Sequence, residues 1–191
     1  YESEESVDFV KKNWEEVYDW ASQEIEMLDD NVPGSEKIDI KQAVENYNDA
    51  IYYLALCNYE LRNYDVVITL LKDIDDKRAR ILYGSALFDT ANYDDEYEYA
   101  WQQFKFIDGD VEYASAPKAK YEEKIYTVAV LLLSQLYRQG LGEKHTKSNL
   151  EKSVNLLNFV KSYLTNEGML ELVDEELRHY QKKMLGGYKY V

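Results

Sequence analysis

The chain has 191 residues, 37 acidic and 22 basic, for a formal charge of −15, with 46% hydrophobic residues, 2 Pro and 8 Gly. That apolar content suffices for a core and argues against disorder, while the scarcity of Gly and Pro excludes collagen-like and flexible-linker classes and disfavours an all-β fold rich in tight turns. The charge repels nucleic-acid phosphates and anionic membrane surfaces, and the longest apolar run, 128–133, falls far short of the roughly 18 residues that span a bilayer.

A first helix is predicted over about Glu5–Leu28, where Val7, Val10, Trp14, Val17, Ala21, Ile25 and Leu28 recur at three- and four-residue steps. Asp29 to Ser35, with adjacent Pro33 and Gly34, breaks the chain. A second helix runs from about Asp39 to Arg62, and after a turn at Asn63-Tyr64 a third carries Val66, Val67, Leu70, Leu71 and Ile74. A fourth spans Lys77 to about Ala91, and a fifth holds Tyr97, Ala100, Trp101, Phe104 and Ile107. Residues Asp108 to Lys118 read as a longer connection. A strongly apolar sixth helix, about Ala119–Gln139, ends at Gly140-Leu141-Gly142, where glycine tolerates the left-handed turn. The seventh covers about Lys147–Leu164 and the eighth Glu167–Met184, before a frayed tail from Gly186. No segment alternates like a strand, so the fold class is all-α, with about eight helices.

Internal repetition follows from the short turns. Leu54-Ala55 with Tyr64-Asp65 and Val67 parallels Tyr83-Gly84 with Tyr93-Asp94; each small residue lies nine positions before the Tyr-Asp that opens the next helix. A third pairing is Leu133-Ser134 with Tyr137, Gly140 and Gly142, leading to Lys152-Ser153. These stretches resemble the tetratricopeptide repeat, the third being more similar to the Sel-one-like relative. Ala55, Gly84 and Ser134 step by 29 and 50 residues where the family steps by about 34, so the repeats are degenerate. The resemblance implies a right-handed α–α superhelix. Residues 39–165 would form its helix pairs, 1–35 an N-terminal capping helix and 166–191 a capping helix with a tail. Terminal units of a stack are expected to turn a polar face outward.

The chemistry points away from catalysis. Cys57 is a lone cysteine in an apolar helical stretch, and His145 and His179 have no second His or Cys at ligand spacing. Asp108-Gly109-Asp110-Val111-Glu112 opens like a calcium loop but has Tyr113 where the turn glycine belongs. No phosphate-cradling glycine loop is present. No catalytic residue, cofactor or metal is therefore expected, and neither nucleic-acid binding nor membrane insertion.

The expected activity is binding a protein or peptide. By the family register, the concave face holds Asp49, Tyr52, Leu56, Tyr59 and Glu60 from the first pair. Arg78, Phe88 and Asp89 come from the second and Gln135 and Arg138 from the third. An aromatic, mildly acidic groove of this kind suits an apolar or basic segment, unless the chain's own helices fill it. Nineteen tyrosines either pack between helices or line that groove. Residues 1–76 hold 20 acids against 6 bases, so the first third either solvates helix faces or attracts a basic partner. The alternative reading is a structural or oligomer-forming helical domain of a larger membrane-anchored or exported protein. The missing initiator Met points to a longer parent chain, and the compartment stays open, with the cytoplasm preferred.

Overall fold

A computed structural model describes residues 4–29, 40–141 and 149–186. Regular structure among them is entirely helical: α1 (Glu4–Asp29), α2 (Ile40–Glu60), α3 (Tyr64–Leu71), α4 (Lys77–Thr90), α5 (Tyr97–Phe104), α6 (Val111–Ser115), α7 (Lys120–Gln139), α8 (Leu150–Lys161) and α9 (Glu167–Gly186), with a 3₁₀ turn at Lys105–Ile107. The chain divides into two compact units, residues 1–82 and 83–191, the division falling within α4. Residues 30–35 of the predicted break, Gly142, His145 and the tail after Gly186 lie outside the described residues.

In the N-terminal unit, α1 and α2 run antiparallel and pack along their length. Trp14 stacks on Tyr53 with centroids 4.5 Å apart, and Tyr18 on Tyr47 at 5.7 Å. Buried Ala21, Ala43 and Ala50 keep side-chain bulk low beside these rings. The end of α2 turns the chain through Arg62, whose φ of +61° is left-handed. The Arg62 amide donates to the Tyr59 carbonyl at 2.9 Å and the Asn63 amide to that of Asn58 at 2.8 Å, the double bond pattern of a Schellman stop. Helix α3 then packs back on α2, burying Val67 and Leu71. Asp76 opens α4, its carboxylate accepting from the amides of Arg78 (2.9 Å) and Ala79 (3.0 Å).

In the C-terminal unit, α4 and α5 meet closely at Gly84. A Cβ there would lie 2.6 Å from Phe104 Cε1 and 2.9 Å from Gln103 Cβ. The stretch expected to be a plain connection contains α6, which brings the α-helices among the described residues to nine rather than about eight. Gly109, Ser115 and Pro117 masked this single turn, which is held by local polar bonds and not by apolar periodicity. Asp110 accepts from the Tyr113 amide at 2.9 Å, and Lys118 Nζ donates to the carbonyls of Tyr113, Ala114 and Ala116 while lying over the Tyr113 and Tyr126 rings.

Helices α7, α8 and α9 pack pairwise, each against the other two. At their centre the Ser134 and Ser153 hydroxyls are 2.7 Å apart, Ser153 Oγ donates to the Ser134 carbonyl at 2.9 Å, and Tyr180 Oη lies 3.4 Å from Ser134 Oγ. Buried Glu123 accepts from the Thr165 amide (2.6 Å), the Thr165 hydroxyl (2.9 Å) and the Asn166 amide (2.8 Å). It thereby ties α7 to the start of α9. Helix α7 ends at Gly140, φ +72°, with the same stop as α2: Gly140 N–H to the Tyr137 carbonyl and Leu141 N–H to that of Leu136.

Candidate functional site

Seven-residue spacings give α1 two neighbouring apolar stripes. Val7, Trp14, Tyr18, Ala21 and Ile25 are buried or half-buried and include the rings stacked on α2. Val10, Val17 and Trp20, with Asn13 between, form a second ridge at i, i+3, i+7 and i+10. Of these Val10 is 43% exposed, Val17 41% and Trp20 75%, and Phe9 beside them is 67% exposed. Val10 and Val17 belong to the predicted buried stripe, but they stand on the flank that α2 does not reach. The exposed side of α1 thus carries these apolar residues among exposed Lys12, Glu16, Asp19 and Gln23.

Between this ridge and α2 lies an open groove of about 700 Å³, walled by Trp14, Val17, Trp20 and Ala21 and edged by Glu24 on α1 and by Asn46 and Asp49 on α2. Its rim is acidic. Helix α1 has no basic residue in its last turn, so Glu24 and Glu26 stand near the negative end of the helix dipole. Asp49 accepts from Arg78 Nη2 at 2.7 Å; Arg78 also reaches Asp76 at 3.3 Å and lies 5.1 Å over the Tyr52 ring. Burial opposes the Arg78 charge, but the bond to Asp49 and the fields of Asp76 and Asp49 outweigh it and raise its pKa above the ordinary guanidinium value. Burial, with the hydrogen bond to Tyr18, raises the Tyr47 phenol.

Protein-family models, curated proteins and solved structures provide no match to this chain.

The residues expected to line a concave face fall in both units. In the first, Asp49, Arg78 and Tyr52 come together, but Tyr52 is only 2% exposed and offers no surface to a ligand. Leu56 and Tyr59 are half-buried, Tyr59 packing on Tyr64 at 5.5 Å, and Glu60 is exposed. In the second, Phe88 packs edge-on to Tyr97 at 5.0 Å, Asp89 is exposed, Gln135 is half-buried, and the Arg138 guanidinium covers the Tyr180 ring at 5.4 Å. Of the ten, Asp49 alone edges the α1–α2 groove. Phe9, Trp20 and Glu24 were missed, although Phe9 and Trp20 fall outside the helical stripe of α1, which is itself a signal of an unpartnered side.

Cys57 is buried and His179 exposed, and no group of three or more His, Cys, Asp or Glu is placed to hold a metal among the described residues. No helix among them is long and apolar enough to cross a membrane.

Proposed function

We propose that the chain is a non-catalytic interaction module, built as a degenerate tetratricopeptide-like array, which holds a protein or peptide segment on the α1–α2 face of its N-terminal unit. The exposed ridge of Val10, Val17 and Trp20 beside an acid-edged groove carries this reading. Single exposed apolar residues are ordinary, whereas several along one ridge, interrupted here by Asn13 and ending in a large aromatic, have the composition of a contact surface. The array reading is supported by small residues at the predicted close approaches: Ala55 fully buried, Gly84 under the Phe104 ring, and Ser134 against Ser153.

A photo-crosslinking amino acid at position 20, and separately at position 172, tests the reading, since Leu172 is an exposed apolar residue on α9 of the other unit. A discrete adduct with a second protein at position 20 and none at 172 supports it. No adduct at 20, or the same adducts from both positions, contradicts it.

A further inference from the structure

We infer that the occupant of this face is a basic amphipathic helix about three turns long, an inference that rests on reading the α1–α2 face as a binding surface. Geometry selects a helix. The ridge repeats at i, i+3, i+7 and i+10, so its side chains fit between the i, i+3/i+4 rows of another helix, as in coiled coils and helix-in-groove recognition. From Val10 to Trp20 it runs roughly 15 Å at about 1.5 Å per residue, which sets the length of the partner's contact. A strand added edge to edge would need a free backbone edge, which a helix flank does not offer.

Charge selects the sign. Residues 4–29 hold nine acidic and two basic residues, Glu24 edges the groove opposite Asp49, whose charge Arg78 partly answers, and the last turn of α1 has no base to offset Glu24 and Glu26. Lysine or arginine on both flanks of an aliphatic stripe would meet these carboxylates and the negative dipole end together. A second copy of the chain would bring the same negative surface against itself, which disfavours self-association through α1.

The test uses the full chain and three synthetic helical 15-residue peptides, with binding measured by calorimetry at low and high salt. The first has a leucine stripe with lysine flanks. The second keeps the stripe with glutamate flanks. The third keeps the composition of the first with leucines moved off the stripe. The first is expected to bind one to one, more weakly at high salt, and to lose about tenfold or more in affinity with Trp20→Ala. Glu24→Gln should weaken it less and flatten the salt dependence. Leu172→Ala should change nothing. Equal binding of the glutamate-flanked or scrambled peptide overturns the inference, as does indifference to Trp20→Ala. A dimer in sedimentation that Trp20→Ala dissociates overturns it in favour of a second copy. If the glutamate-flanked peptide binds and Trp20→Ala abolishes that binding, the basic-helix inference fails while the interaction face stands. If no peptide binds and the crosslinker at position 20 captures nothing, both fail.

Discussion

The helix pair α1–α2 and the trio α7–α8–α9 use similar residues to opposite ends. In the trio each helix covers the other two, and its central polar atoms are answered from within: Ser134, Ser153 and Tyr180 share bonds, and Glu123 takes three donors from the α8–α9 turn. In the pair, two helices can cover only one side of each other. Aromatic stacking fastens that side, and the next stripe of α1 is left in water. A third helix separates a closed core from an open face.

The sharpest contrast should come from Glu123. Glu123→Ala leaves three donors without their acceptor and should cost about 3 kcal/mol of stability in urea unfolding, seen as early exchange of α7–α9 amides. Burial alone would raise the Glu123 pKa, but the bonds from Asn166 and Thr165 prevail and hold it below the usual 4.5. Its contribution is therefore full above the unfolded carboxylate value and disappears as pH falls through the lower folded value, so Glu123→Gln should flatten the acid limb of the stability curve. An unchanged acid limb would remove Glu123 from the account of the trio.

Gly84→Ala should follow, costing about 2 kcal/mol in the same assay, because the added methyl meets Phe104 and Gln103 inside contact distance. The two helix stops form a smaller matched pair. Gly140→Ala places a Cβ in a left-handed position and should lose about 1 kcal/mol, whereas Arg62→Gly relieves that strain and should gain about 0.5 kcal/mol once the freer unfolded chain is counted. Equal signs for both would show that the Arg62 side chain, not its backbone, matters to the turn. Smallest in stability is Trp20→Ala, expected to stay within about 0.5 kcal/mol of the parent melting curve because the ring lies in solvent. A large loss there would place Trp20 in the fold and not on a binding face.

The helices were readable because their apolar stripes are long and their stops chemically marked. Gly140 announces the end of α7, and the small residues Ala55, Gly84 and Ser134 announce buried or close-packed positions. Arg62 hides the matching stop of α2, since nothing in an arginine signals a left-handed residue. Helix α6 escaped because five residues give periodicity no room, and Asp110 and Lys118 hold it through local bonds. The binding face was harder to read. A stripe containing Val10 and Val17 looks the same whether a neighbour covers it or not, and only the packing of α2 on the Trp14–Tyr18 side shows which half is left open. Tyr52 shows the converse: a family register places it on an inner face, and Arg78, Tyr53 and its own burial close it.

The most direct measurement is an amide and indole NMR titration of the full chain with the lysine-flanked helical peptide. Shifts confined to residues 7–24, the Trp20 indole and the facing residues of α2 from 42 to 53, with α7–α9 unmoved, are what the account predicts. Shifts centred on α7–α9, or a Trp20 indole that never moves at saturating peptide, would contradict it.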